Sequence, residues 1–84
     1  MEVYLITFRS ITPAQRGEAL LRRGQISCTL RRTPGWLQDK GCGYSLRLSK
    51  ERVLDAVSLL RSAKIPFQKV YYQPEKGNAE EVSL

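Results

Sequence analysis

The chain contains no histidine, and only two of its 84 residues are cysteine. Two thiols without an imidazole are too few to close a four-ligand zinc site or to hold an iron–sulfur cluster. No metal and no resident cofactor is therefore expected. Two cysteines are also too few for the disulfide scaffold of a small secreted domain, which points to reduced thiols. Long apolar runs are missing as well. The opening "MEVYLITF" has no basic leading region and is too short to span a bilayer, and no other segment is longer. The expectation is a cytoplasmic protein with no membrane segment.

Acidic charge is scarce. Eight acids face 14 arginines and lysines, a net charge of +6. The surplus lies in the body: up to Tyr72 there are thirteen basic and five acidic side chains, whereas from Gln73 one lysine meets three glutamates. Such a field favours anionic partners, nucleic acid among them, and it equally serves to keep a surface solvated. Apolar residues are 42% of the chain and charged residues 26%, a balance that folds. A chain this short carries one core, so residues 1–72 are read as a single domain and 73–84 as a flexible acidic tail.

The residues that are present sort into six elements. "VYLITF" is β-branched and aromatic and apolar at both parities, as in a central strand covered on both faces. "SITPAQ" starts a helix, with Thr12 as N-cap, Pro13 first and Gln15 closing a capping box, and Gly24 ends it as a left-handed terminator. Ala14, Gly17, Leu21 and Gly24, with Leu20 beside them, form its inward stripe. "ISCTLRR" and Tyr44–Leu48 alternate as two half-buried strands around a loop with Pro34, Gly35 and Gly41. Ser49 caps a second helix with Val53, Ala56, Val57, Leu60 and Ala63 inward, and "FQKVYY" follows as the last strand. The order β-α-β-β-α-β implies an α+β, ferredoxin-like two-layer sandwich, a four-stranded antiparallel sheet with two helices on one face. In that topology Arg9, Ser10, the start of the first helix and the loop into Cys42 converge at one end of the sheet.

Cys28 shares a face with Ile26 and Leu30 and reads as a small buried hydrophobe. Opposing Arg32 to Cys42 would set Cys28 near Leu46, roughly 13 Å of strand from the other thiol, beyond the roughly 7 Å between Cα atoms that a disulfide allows. Cys42 enters its strand from a glycine- and proline-containing loop, with Gly41 and Gly43 leaving room on either side. Lys40, Arg9 or Arg32 and the positive helix end would favour its thiolate over the ordinary thiol of pKa about 8.5. It also has the parity of Tyr44 and Leu46, so a reactive sulfur and a core side chain stand as alternatives.

A second chemistry competes for the same residues. Lys40-Gly41-Cys42-Gly43-Tyr44 follows the RNA-recognition strand pattern K/R-G-F/Y-G/A-F-V-x-F/Y in four of five opening positions, counting Tyr44 as its aromatic. Cysteine replaces the first stacking ring and Arg47 the last, leaving one base platform on the strand. An RNA-binding module using the basic sheet face and Tyr44 is one alternative function, and a protein–protein interaction adaptor without chemistry is another.

The set "YLITFRS", a helix ending "LLRRGQI", "TPGWLQDKGCGYSLRL" and "AKIPFQKVYY" resembles a small bacterial family described as putative Se/S carrier protein-like, over about residues 3–72. The resemblance implies that Cys42 is the carrier of a sulfur or selenium atom, with Gly43 part of the motif and Phe8 and Ser10 matching it as well. It implies a relay rather than a turnover enzyme: Cys42 would hold a transient persulfide or selenosulfide between donor and acceptor proteins of sulfur or selenium metabolism, with Lys40 and Arg9 supplying charge.

Overall fold

The structure is a computed structural model, and it describes residues 3–33, 43–74 and 80–82. Its elements are β1 (Val3–Phe8), α1 (Ile11–Arg23), β2 (Thr29–Arg32), β3 (Tyr44–Ser49), α2 (Val53–Ser62), β4 (Val70–Gln73) and β5 (Glu80–Val82). The strands form one antiparallel sheet in the order β2-β3-β1-β4-β5. The α+β class with two helices is as expected. The strand count is not: the sheet has five strands instead of four, and its order extends past the simple ferredoxin-like layout. The extra strand lies inside the segment expected as a tail. Val82 stands opposite Val70 and packs on the core, and Lys69 Nζ meets Glu81 Oε1 at 3.4 Å. An apolar contact and a basic neighbour thus hold a stretch whose composition alone reads as solvated.

β1 is the middle strand and is buried on both faces, as its double-parity apolar pattern requires. Ile6 and Phe8 point to the helices together with Leu46, Leu48 and Val70. On the other face Leu5, Thr7, Ser45 and Tyr71 are also buried. The helices reach the sheet through α1: a Cβ at Gly17 would meet Leu60 Cδ2 at 3.1 Å, Phe8 Cζ at 3.3 Å and Leu46 Cδ1 at 3.4 Å. Nothing larger than hydrogen fits there without a shift, which compensates for the roughly 1 kcal/mol of helix propensity that glycine forfeits.

Helix boundaries differ from the sequence reading in instructive ways. α1 begins two residues early, with Ser10 as N-cap in extended backbone (φ −141°, ψ 168°), so Pro13 is its third residue and no Thr12–Gln15 capping box forms. α2 is preceded by a turn in which Arg52 N–H donates to Ser49 O at 3.2 Å. Its N-cap is Arg52 and not Ser49, and Ala63 is exposed. At the other end of α1, Gly24 is not left-handed (φ −83°). The left-handed residue is Gln25 (φ 62°). Gly24 is needed for approach, since a Cβ there would meet Leu59 Cδ1 at 3.1 Å.

Both helices close with the same paired hydrogen bonds. Ile26 N–H donates to Leu21 O at 2.8 Å and Gln25 N–H to Arg22 O at 3.0 Å; Ile65 N–H donates to Leu60 O at 3.0 Å and Lys64 N–H to Arg61 O at 3.1 Å. This is the Schellman arrangement, with buried Ile26 and Ile65 folding back on Leu21 and Leu60. Its left-handed position is filled by Gln25 and Lys64 (φ 57°), side chains that pay a steric penalty there. Gln25→Gly and Lys64→Gly are each expected to raise unfolding stability by about 0.5–1 kcal/mol, read from urea denaturation midpoints; a loss of stability in both would refute the cap assignment.

Candidate functional site

The chain passes from β1 into α1 through Arg9 and Ser10, both exposed. The Ser10 side chain makes no capping hydrogen bond, and the first turn holds no acid, so the positive end of the helix meets no carboxylate there. On one side of this junction lies Gly43, whose carbonyl accepts from Thr33 N–H at 3.1 Å. A Cβ at Gly43 would lie 3.8 Å from Arg9 O, an ordinary contact. Gly43 therefore lies beside the backbone of Arg9, next to the start of α1, while the loop into Cys42 that was expected to join them lies outside the described residues. Lys40, Gly41 and Cys42 lie outside the described residues.

On the other side of the junction the chain entering β4 makes a bulge. Thr7 N–H donates to Lys69 O at 2.8 Å while Gln68 N–H donates to Thr7 O at 2.7 Å, so two residues meet one. The buried Thr7 hydroxyl donates to Lys69 O at 3.2 Å and accepts from Lys69 N–H at 3.1 Å. Beside this bulge opens a cleft of about 430 Å³ lined by Arg9, Ser10, Pro13, Pro66, Phe67 and Gln68. The Arg61 guanidinium stands 5.9 Å from the centre of the Phe67 ring. Phe67 and Gln68 carry no local signal in the sequence. Only the pairing of β4 with β1 brings them to the junction.

Cys28 is 5% exposed and belongs to the core cluster. Burial raises its pKa above the ordinary thiol value, outweighing the lowering effect of Arg22, and Glu18 raises it further. Its sulfur stays protonated at neutral pH. The strand register differs from that assumed for the hairpin: Arg32 opposes Tyr44 and Leu30 opposes Leu46, which turns Cys28 toward Leu48 instead of Leu46. Eleven residues separate the paired Arg32 and Tyr44, against nine between Arg32 and Cys42 in the assumed pairing.

The same register bears on RNA recognition. Tyr44 opposes Phe8, which is fully buried beneath Gly17 of α1. Cross-strand partners share a face, so Tyr44 lies on the helix side, half-buried, with the Arg32 guanidinium 5.8 Å from its ring centre. The ring that would stack a base is not on the sheet face opposite the helices.

The family model described as Putative Se/S carrier protein-like matches residues 3–72. The chain belongs to that family. The Se/S carrier-like match spans β1 to the third residue of β4 and includes both cysteines, whereas β5 falls beyond it. No curated protein and no solved structure matches the chain significantly. Among the described residues of this Se/S carrier-like chain no group of three or more His, Cys, Asp or Glu could hold a metal ion, and no helix is long and apolar enough to cross a membrane.

Proposed function

We propose that this chain carries a sulfur or selenium atom on Cys42 and relays it between a donor and an acceptor protein. The observation that carries the reading is membership of the Se/S carrier-like family across residues 3–72. The burial of Cys28 supports the choice of thiol, since it leaves Cys42 as the candidate of the two. The backbone of Arg9, an exposed cationic residue one position before the N-cap of α1, stands beside Gly43, the residue next to Cys42. Within that reading the ferredoxin-like part of the sheet, β1 to β4, is the scaffold.

The transfer is a thiolate exchange. The Cys42 thiolate attacks the outer chalcogen of a donor persulfide or its selenium analogue. A new S–S or S–Se bond forms at Cys42, the donor's bond to that atom breaks, and the donor leaves as a thiolate with the electron pair. No external oxidant enters the balance. Positive charge from Arg9 and Lys40 would stabilise both the attacking thiolate and the charged adduct.

Treating the reduced protein with glutathione persulfide and measuring intact mass should show a gain of one sulfur atom, reversed by dithiothreitol. The gain should persist in Cys28→Ala and vanish in Cys42→Ser. Alkylation of the folded protein should label Cys42 well before Cys28. An adduct retained in Cys42→Ser removes the proposal.

A further inference from the structure

Among the described residues β2 forms one edge of the sheet, and its open side is limited to a short stretch. Because Thr33 N–H bonds Gly43 O, backbone alternation turns the groups of Arg31 and Thr29 toward β3 and those of Leu30 and Arg32 outward. Cys28 is the preceding residue of the outward series, and its carbonyl is already occupied: Arg22 Nη2 donates to it at 2.9 Å. That guanidinium also meets Glu18 Oε2 at 3.4 Å. The end of α1 thus covers the start of the edge, and Leu30 and Arg32 remain, at the end nearer Gly43.

Arginine flanks this opening on both faces. Arg31 and Arg47 are exposed on the face opposite the helices, where Arg31 opposes Ser45 and Arg47 opposes Thr29, a diagonal pair. Arg32 is exposed on the helix side, over Tyr44. Among the described residues none of the three is paired with a carboxylate. A second copy presenting the same edge would oppose arginine to arginine, which is unfavourable across strands. An acidic chain would meet complementary charge above and below the backbone it bonds.

We propose that the outer edge of β2 docks an extended acidic segment of a partner protein as an added strand, using the backbone groups of Leu30 and Arg32 and the charges of Arg31, Arg32 and Arg47. Main-chain hydrogen bonds hold the segment and its carboxylates give selectivity. The added strand ends beside Gly43, so it would seat a donor or acceptor next to Cys42; that clause rests on the carrier reading, and the docking itself does not.

The test uses the ¹⁵N-labelled full chain, as reduced wild type and as Cys42→Ser, so its outcome is independent of chalcogen loading. The probe is a capped peptide of alternating threonine and glutamate, compared with a threonine–lysine peptide and with an acidic peptide N-methylated at alternate residues. Saturation with the acidic peptide should slow exchange of the Leu30 and Arg32 amides, while the lysine and N-methylated peptides leave them unchanged. Combining Arg31→Glu with Arg47→Glu, both exposed and distant from the core, should weaken the acidic peptide by about tenfold. Equal binding of the lysine or N-methylated peptide overturns the proposal, as does binding that leaves both amides unprotected. Concentration-dependent protection without peptide would make a second copy the occupant and overturn it equally.

Discussion

Phe8→Ala should lower the free energy of unfolding by about 3–5 kcal/mol. Phe8 is fully buried at the end of β1, in contact range of α1 at Gly17 and opposite Tyr44 on β3. Removing the ring leaves a cavity where sheet and helix layer meet, and a close-packed surround refills it only in part. A chain of 84 residues has a total stability of roughly 4–13 kcal/mol, so the variant should lose at least about a quarter of it. Phe8→Leu retains most of the apolar volume and should lose far less. Urea denaturation of both variants decides the matter: a cost below about 1 kcal/mol for Phe8→Ala would contradict the burial described.

Leu60→Ala should cost about 2–5 kcal/mol for the same reason, and its interest lies in what it does to Gly17. Adding a methyl group at Gly17 gains about 1 kcal/mol of helix propensity but drives into Leu60, Phe8 and Leu46, all fully buried. Overpacking of this kind costs about 1–3 kcal/mol. Gly17→Ala alone is expected to destabilise. In the Leu60→Ala background the nearest obstruction, Leu60 Cδ2 at 3.1 Å, is gone, and the same substitution should stabilise. A double-mutant cycle should return a coupling of about 1–3 kcal/mol. Identical effects in both backgrounds would show that the helices do not meet at this point.

The sequence made the architecture legible wherever a residue's local pattern and its tertiary role coincide. The double-parity run Val3–Phe8 could only be a covered strand, and Ala14, Gly17 and Leu21 face inward together as their spacing requires, whereas Gly24 of the same expected stripe is exposed. It misled where two residues qualify for one role. Ser10 and Thr12 are both competent caps, and the choice between them is made by where β1 releases the chain. Gly24 carries the composition of a left-handed cap, yet its smallness serves Leu59, and Gln25 takes the unfavourable backbone instead. β5 was illegible because Glu80 and Glu81 look solvated until Val82 and Lys69 are placed beside them.

The candidate site divides along the same line. Element order alone brings the end of β1 to the start of α1 and predicts the loop into Cys42 beside them; of that neighbourhood the described residues show Gly43, just past the loop, against the backbone of Arg9. Phe67, Gln68 and the Thr7–Lys69 clamp were not, because their meeting depends on a bulge set by hydrogen bonds across 62 residues. Tyr44 resembled a base platform through its motif, and the register turned it to the other side of the sheet.

The position of β1 between β3 and β4 has a consequence for synthesis. β1 is synthesised well before β4, which completes it, so Thr7 waits for Lys69 before its hydroxyl finds its partner. Until then one flank of a strongly apolar strand stays unzipped, a template for stray association. Nascent chains stalled shortly before Lys69 should therefore be protease-sensitive and dependent on chaperones, and should become resistant abruptly once β4 clears the exit tunnel.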